Sequence, residues 1–170
     1  MKKIHWDSFT KKIHINTSLD KLYWCWATQE GICSWFLQNA TYTRNEKQLN
    51  PSDFLNTKDQ YLWKWHNWDG KEIGKIIAAN GKNSFCFTFA GDCLVTITLE
   101  EKDKMVLLTL TQSNIPLDEK SKLEIFYGCS NGWTFWLTNL KAYLEYGILL
   151  NETALDLSGF DLAGYEFVNM

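Results

Sequence analysis

The centre of the chain, from Tyr61 to Gln112, alternates apolar runs with short polar turns. Five runs follow one another: YLWKWHNW, KEIGKIIAA, NSFCFTFA, CLVTITLE and KMVLLTLT. The dipeptides Asp69-Gly70, Asn80-Gly81 and Gly91-Asp92 between them favour the positive-φ backbone of two-residue β-hairpin turns. The pattern therefore predicts five consecutive antiparallel strands, and the fold of the chain has to be built on that meander.

Alternation inside the runs separates an apolar face of the sheet from a mixed face. Residues two apart in a strand point to the same side, so Cys86 and Thr88 lie opposite the aromatic side chains of their strand. The aromatic side chains assigned to the apolar face are Trp63, Trp65, Phe85, Phe87 and Phe89. Two further alternating segments, FTKKIHIN at 9–16 and TYTRN at 41–45, raise the predicted strand count to seven.

A long amphipathic helix is predicted near the end of the chain, within GCSNGWTFWLTNLKAYLEYGI at 128–148. Ser130 or Asn131 can cap its first amides, and Gly147 can supply the left-handed residue that ends it, which gives bounds of about 131–146. The apolar stripe consists of Trp133, Leu137, Leu140 and Leu144, widened by Trp136 and Tyr143. A stripe this wide needs an apolar partner along most of the helix.

Two short helices are predicted between the first two strands. In TSLDKLYWCWATQEGICSWF, at 17–36, Thr17 or Ser18 can cap the first helix and Thr28 the second. A twisted sheet with one apolar face and a single long helix with an apolar stripe satisfy each other most simply when the sheet curls around the helix. The predicted fold is therefore α+β, with a curled seven-stranded antiparallel sheet around a long C-terminal helix and two short helices after the first strand.

Length and charge limit the organisation and the partners of the chain. At 170 residues it is expected to form one domain, 1–170, with a core at about 9–148 and a C-terminal extension at 149–170. The 17 basic and 20 acidic residues give a net charge of -3 without clustering, so neither nucleic acid nor a membrane surface is expected as a partner. No window approaches about 18 apolar residues and no signal peptide is recognised, which predicts a cytoplasmic location.

Catalytic and metal sites are not predicted. The sequence holds no HExxH, GxSxG, P-loop or dinucleotide-binding motif, and His5, His14 and His66 have no carboxylate or second histidine at ligand or triad spacing. Cys33, placed at the start of a short helix, is a thiol whose pKa the helix amides could lower. The five cysteines lack CxxC spacing and are interpreted as reduced core thiols. The chain is expected to need no cofactor and no metal, and catalysis stays open.

Two motifs resemble a known family. The segments IHINTSLDKLYWCWATQEGICSWF at 13–36 and GWTFWLTNLKAYLEYG at 132–147 are similar to the helix-grip proteins of the START-like (SRPBCC) superfamily, and more narrowly to the family named after the activator of the heat-shock-protein-ninety ATPase. The resemblance covers roughly residues 9–148. It implies a cavity between the curled sheet and the long helix, filled in many members by a lipid, polyketide or other apolar molecule, with no general cofactor.

Inward-facing positions in the implied fold predict a ligand site. Its wall consists of Trp26, Trp63, Trp65, Phe85, Phe87, Trp136 and Leu140, and its polar groups are His66, Asn139 and Tyr143. An aromatic set of this size either fills a core or lines a pocket. Indole N–H groups that enter the interior need acceptors, which a pocket holding water or a polar head group supplies more readily than a dry core. This consideration favours a pocket.

The predicted function is the binding of a small, mostly apolar molecule in that cavity. The alternative is a protein-interaction module of the co-chaperone type, whose partner is another protein or a second copy of the chain in a homodimer. A cofactor-free enzyme acting in the same cavity is the third hypothesis.

Overall fold

The computed structural model describes residues 5–67 and 69–170, and its strands form one antiparallel sheet. The order across the sheet is β1-β8-β7-β6-β5-β4-β2-β3. The strands are β1 Phe9–Ile15, β2 Asn39–Arg44, β3 Lys47–Gln48, β4 Gln60–Lys64, β5 Lys71–Ala79, β6 Ser84–Thr88, β7 Leu94–Lys102 and β8 Met105–Ser113. Consecutive strands from β4 to β8 are neighbours, so the predicted five-strand meander is confirmed.

The strand count differs from the prediction because of one short hairpin. β3 is two residues long and pairs with β2 across a turn in which Asn45 and Glu46 have φ of 50° and 65°. Lys47 and Gln48 are polar and exposed, so no apolar alternation marks them as a strand. The predicted count of seven strands is corrected to eight within the described residues.

The turns of the meander also differ from the prediction. A two-residue turn lies at Asp103-Lys104, where φ is 52° and 68°, whereas β5 and β6 are joined by residues 80–83 and β6 and β7 by residues 89–93. The two-residue turns predicted at Asn80-Gly81 and Gly91-Asp92 are therefore wrong in length. Asn80 explains the longer loop between β5 and β6. Its Oδ1 accepts hydrogen bonds at 2.9–3.0 Å from the amides of residues 82, 83 and 84, which stabilises a loop wider than a two-residue turn.

Two short helices occupy the predicted place after β1. They are α1 Leu19–Ala27 and α2 Gln29–Cys33. Ser18 Oγ accepts a hydrogen bond from the Lys21 amide at 3.2 Å, and Thr28 Oγ1 accepts one from the Gly31 amide at 2.9 Å, so Ser18 and Thr28 are the helix caps as predicted. Glycine is required at position 31, because a Cβ there would lie 2.0 Å from the carbonyl oxygen of Trp24.

The long helical stretch starts earlier than predicted. It consists of α3 Glu119–Ser121, a π-helical segment Lys122–Cys129 and α4 Ser130–Tyr146. Asp118 is its cap, with Oδ1 accepting from the Ser121 amide at 3.0 Å. The predicted start at about 131 is wrong because the Ser130 amide is already bonded to carbonyls of the preceding turn. The predicted end is confirmed, since Gly147 is the left-handed C-cap with φ of 68°.

The apolar face of the sheet packs against α1 and α4. The strand order ends at β1 and β3, so the sheet curls around the long helix without closing into a barrel. On the β1 side, Lys141 Nζ donates to the His14 carbonyl at 2.8 Å and Glu145 Oε1 accepts from the Asn16 amide at 2.7 Å. The predicted α+β arrangement, with a curled sheet around a C-terminal helix, is confirmed.

Candidate ligand-binding site

A cleft of about 780 Å³ lies along the N-terminal half of α4. Three parts of the chain enclose it: the helical stretch from Glu124 to Thr138, aromatic residues that follow β4, α2 and β6 together with Asn67, and the end of the C-terminal segment, 164–170, which includes part of the short helix α5, Ala163–Glu166. The cleft therefore borders the space between the sheet and the helix at one end of α4.

Aromatic rings form the inner wall of the cleft. Phe36 is 2% exposed, and its ring centroid lies 5.8 Å from that of Trp65, 5.4 Å from Trp133 and 4.9 Å from Trp136. The Phe89 ring lies 5.3 Å from the Trp133 ring. Tilted and edge-to-face contacts at such distances are favourable for aromatic pairs. The rings therefore support one another and present a packed apolar surface.

The polar groups of the lining are mostly engaged or at the rim. Thr134 and Thr138 donate their hydroxyl hydrogens to helix carbonyls at 2.9 and 2.8 Å. The Glu124 carboxylate lies 3.8 Å from Lys120 Nζ, and its side chain is 50% exposed. Burial raises the pKa of the Cys129 thiol to about 11, so this thiol stays protonated at neutral pH and is a poor nucleophile. The arrangement suits the binding of apolar surface rather than attack by Cys129.

Two of the predicted wall residues, Trp65 and Trp136, line the cleft. Trp65 follows β4, which ends at Lys64, so the strand predicted over 61–68 is shorter than expected; Trp68 lies outside the described residues. Trp136 is 7% exposed, and its ring packs edge-on against Phe36 at 4.9 Å. These two indoles are the part of the predicted wall that a molecule in the cleft would contact.

The other five predicted wall residues lie in the core. They are Trp26, Trp63, Phe85, Phe87 and Leu140, each at most 1% exposed. The Phe87 ring lies 5.2 Å from Trp63, 5.8 Å from Phe85 and 6.4 Å from Trp26. Side chains thus fill the space that these positions surround, and the cleft lies beside it. The structure places these residues behind the cleft wall, and their part in ligand binding stays a prediction.

None of the three predicted polar groups, Asn139, Tyr143 and His66, is among the residues that line the cleft in the described chain. Asn139 is fully buried, and its Nδ2 donates to the Trp35 carbonyl at 2.6 Å while its Oδ1 accepts from the Leu150 amide at 2.6 Å. Tyr143 is half-buried on the C-terminal half of α4. His66 follows Trp65, and burial lowers its pKa. Asn139 therefore joins the C-terminal segment to the core.

Buried indole N–H groups find acceptors inside the protein, contrary to the expectation that they need a pocket. Trp35 Nε1 donates to the Cys25 carbonyl at 3.1 Å, Trp63 Nε1 to Tyr42 Oη at 2.9 Å, and Trp133 Nε1 to Gln112 Oε1 at 2.9 Å. Trp26 Nε1 has no acceptor among the described residues. A packed core thus satisfies three of these four indoles.

Most of the residues that shape the cleft are not predicted from the sequence. Phe89 and Trp133 are assigned to apolar surfaces but not to the site, and Phe36 is not singled out. The Trp35-Phe36 pair carries a usable signal, because two consecutive aromatic residues after a short helix both need apolar neighbours: the two rings stack at 5.2 Å, Trp35 also packs on Trp26 at 4.9 Å, and Phe36 reaches the cleft. The C-terminal wall gives no such signal, since the apolar residues of 149–170 have no clear period.

The structure changes the interpretation of Cys33 as a reactive thiol. Cys33 is the last residue of α2 rather than the first, and burial raises its pKa to about 11, so the prediction of a lowered thiol pKa is wrong.

In residues 5–67 and 69–170, no three His, Cys, Asp or Glu side chains are arranged to hold a metal ion. Every helix in that part of the chain is too short or too polar to cross a membrane.

A sheet curled around a long C-terminal helix, with two short helices after the first strand, defines the helix-grip class of START-like proteins. Within this class, the family model described as "Activator of Hsp90 ATPase homolog 1-like protein" matches residues 16–145, and the chain belongs to this family. The resemblance noted in the two sequence motifs is therefore confirmed.

Solved structures with this fold share little sequence with the chain. Protein SSP2350 from Staphylococcus saprophyticus is 20% identical with a TM-score of 0.66, over 84% of this chain and 94% of that one. The protein described as the Aha1 dimer from Colwellia psychrerythraea is 18% identical with a TM-score of 0.64, over 82% and 97% of the two chains. ChR145 from Cytophaga hutchinsonii is 22% identical with a TM-score of 0.58, over 82% and 94%. At such identities the similarity shows the fold alone, and no curated protein matches the chain.

Proposed function

We propose that the protein binds a small, mostly apolar molecule in the cleft beside α4. The observation that carries this proposal is the aromatic wall, in which Trp65, Trp133 and Trp136 surround Phe36 at the side of an open space of about 780 Å³. Small-molecule sites in proteins are clefts of about 300–1,000 Å³ lined mainly by aromatic and apolar side chains. The size and the lining of the cleft both support a ligand of that kind.

The expected affinity follows from the surface such a ligand can bury. Removing about 300 Å² of apolar surface from water contributes about 7.5 kcal/mol, before the entropic cost of association is subtracted. A micromolar Kd corresponds to about -8 kcal/mol. The micromolar range is therefore the upper limit of affinity for a probe that makes only apolar contacts, and a molecule that also satisfies polar groups would bind more tightly.

Gly132 offers a way to fill the cleft without breaking the fold. It lies in α4 and lines the cleft, and a Cβ at this position would meet no atom within 4 Å. Leucine there occupies open space and is also a better helix former than glycine, by about 0.5–1 kcal/mol. Gly132→Leu is therefore expected to weaken binding of the neutral fluorophore N-phenyl-1-naphthylamine about tenfold or more, which corresponds to about 1.4 kcal/mol, without loss of stability.

The test is a fluorescence titration of wild-type protein and two variants with this fluorophore. Glu101→Leu is the matched control, because it adds the same side chain at an exposed position of β7 that does not line the cleft. The control has to bind like wild type. Absence of saturable binding by wild type, or equal affinities of wild type and Gly132→Leu, would refute the proposal.

Self-association is a second candidate function, supported by a different surface. Tyr146, Ile148 and Leu149, at the C-terminal end of α4, are 71%, 55% and 47% exposed. Clustered exposed apolar side chains mark interaction sites, and the Colwellia psychrerythraea relative is described as a dimer. Sedimentation velocity tests the idea: a dimer that Ile148→Asp converts to monomer supports it, and a wild-type monomer at high concentration excludes it.

A further inference from the structure

We propose that the last part of the chain, residues 158–170, is a gate that opens to admit the ligand and closes over it. We call these residues the flap, and we call residues 148–157 the anchor. This inference rests on the proposed function, because the flap forms one wall of the cleft in which the ligand is proposed to bind. The flap lies beyond the residues matched by the family model, 16–145, so it is a property of this chain rather than of the matched region.

The flap forms the outer wall of the cleft. Gly164, Tyr165, Phe167 and Val168 line the cleft together with the aromatic residues of α4. Tyr165 is 52% exposed and Val168 is 80% exposed. A ligand in the cleft would bury part of this apolar surface as well as its own, so ligand binding and flap closure favour each other.

The anchor is held to the body of the protein by two buried asparagines. Asn139 Oδ1 accepts from the Leu150 amide at 2.6 Å. Asn67, which is 4% exposed, donates from Nδ2 to the Leu155 carbonyl at 2.8 Å, and its own carbonyl accepts from the Leu157 amide at 3.0 Å. The Leu157 side chain is 5% exposed. The anchor is therefore fixed to α4 and to the loop after β4.

The flap is joined mainly to itself and to the anchor. In the described part of the chain, the hydrogen bonds of residues 158–170 stay within the segment from 150 to 170. The Asn169 carbonyl accepts from the Glu152 amide at 2.8 Å, and the Phe160 and Phe167 rings contact each other at 6.1 Å. Swinging the flap outward would thus break few hydrogen bonds to the body of the protein, and Ala163, 5% exposed, is the buried side chain that it would uncover. Segments with few bonds to the body open at low free-energy cost, and ligand-binding lids are drawn from such segments.

The backbone can bend at residues 158–159, where the flap follows the anchor. Gly159 lies in a turn that is closed by local bonds, the Phe160 amide donating to the Leu157 carbonyl at 3.0 Å, and a Cβ at position 159 would meet no atom within 4 Å, so the backbone freedom of glycine is available there. Leu157 is the last of the anchor residues bonded to Asn67. The geometry points to a hinge at residues 158–159, with the anchor staying in place when the flap moves.

A disulfide that can be made and broken in the same protein tests the gate. Glu152 and Asn169 lie on backbones joined by a 2.8 Å hydrogen bond, and disulfides need Cα atoms about 4.4–6.8 Å apart. In Glu152→Cys/Asn169→Cys, oxidation closes the flap into a fixed loop and reduction releases it. Burial raises the pKa of the native thiols Cys25, Cys33 and Cys129 to about 12, 11 and 11, which slows their competition for the new bond. Peptide mapping by mass spectrometry identifies the bond.

The measurement is stopped-flow binding of N-phenyl-1-naphthylamine to the oxidised and the reduced variant. A gate predicts that oxidation slows both association and dissociation, with a much smaller change in Kd. Phe160→Ala supplies the opposite perturbation and does not depend on disulfide formation: it removes the ring contact with Phe167 inside the flap, at a position that does not line the cleft, and should raise both rates about fivefold. Phe54→Ala, which removes an exposed ring contact with Tyr23 at 6.1 Å away from the cleft, is the matched control and should leave both rates unchanged.

The possible outcomes separate the gate from the proposed function. If wild-type protein fails to bind the fluorophore, the proposed function itself is wrong. If wild type binds and Gly132→Leu blocks binding, but Phe160→Ala and the oxidised variant keep wild-type rates, the site stands and the gate is overturned. Hydrogen exchange adds an independent check: saturating fluorophore should slow exchange of the Phe167 amide, which is bonded to the Ala163 carbonyl, and unchanged exchange there counts against closure over the ligand.

Discussion

Replacing Asn139 with alanine should have two effects of different size. It should loosen the C-terminal segment, and it should lower the stability of the whole protein. The amide is fully buried on α4, where Nδ2 donates to the Trp35 carbonyl at 2.6 Å and to Asn151 Oδ1 at 3.2 Å, and Oδ1 accepts from the Leu150 amide at 2.6 Å. One of these bonds connects α4 to the core, and two connect it to the anchor. The substitution therefore acts on two parts of the structure at once.

The magnitude follows from what each partner can do once the amide is gone. The Trp35 carbonyl belongs to a residue that is 1% exposed, so it is left without its hydrogen bond in the interior, at a cost of about 1–3 kcal/mol. Leu150 is 43% exposed, and its amide can bond to water when the anchor moves, so this loss appears mainly as local opening. We expect the free energy of unfolding to fall by about 2–3 kcal/mol and the Leu150 amide to lose most of its protection from exchange.

Urea denaturation followed by tryptophan fluorescence measures the first effect, and hydrogen exchange of the Leu150 amide measures the second. Asn151→Ala is the control, since it removes a single 3.2 Å bond at the surface of the same contact and should cost well under half as much. A change in the free energy of unfolding of less than about 0.5 kcal/mol for Asn139→Ala, the range of neutral surface substitutions, would contradict the first expectation. A Leu150 amide that keeps its protection from exchange would contradict the second.

Two other perturbations test the core and the contact between α4 and β1. Leu140→Ala should lower the free energy of unfolding by about 2–5 kcal/mol, because it leaves a cavity at a fully buried position on α4; a urea midpoint close to wild type would mean that the helix is peripheral. The Lys141 side chain and the Asn16 amide hold the pKa of Glu145 below its usual range, so its folded-state pKa is lower than its unfolded one. The resulting stabilisation is present above the unfolded pKa of about 4.3 and is lost as the pH falls through the folded pKa. Denaturation of wild type and Glu145→Gln should therefore differ at pH 7 and converge in acid, and a constant difference would contradict this assignment.

Local patterns predict the regular parts of this fold because their signals repeat along the chain. Alternation identifies the strands from β4 to β8, and Gly147 marks the helix end through its left-handed backbone, with φ of 68°. The helix start is different, since the segment 122–129 is π-helical and its apolar residues follow no α-helical period. Ser130 therefore resembles a cap, although it lies inside a continuous helix.

The cleft is harder to predict than the core because its size is the difference between two volumes: the space that the backbone encloses and the space that the side chains fill. Phe87 and Phe89 lie on the same predicted face, two residues apart, yet Phe87 is fully buried among Trp26, Trp63 and Phe85 whereas Phe89 lines the cleft. Alternation shows the side on which a ring lies, but not whether neighbouring rings fill the space in front of it. Interiors pack at a density of about 0.74–0.76, so a few side chains decide between a filled and an open region.

The position of the cleft follows from how the large rings are distributed. In the described chain, rings from α1, β4 and β6 pack on one another: the Phe87 ring lies 5.2 Å from Trp63 and 6.4 Å from Trp26, and the Trp26 ring lies 5.9 Å from Trp133 of α4. The open space of the cleft is lined by Phe36, Trp65 and Phe89 together with rings of α4, and the flap borders it as the outer wall. The proposed site therefore has one wall built from the packed rings of the grip and another built from a segment held mainly by its own contacts. Affinity for apolar surface would come from the first wall, and ligand access would be set by the second.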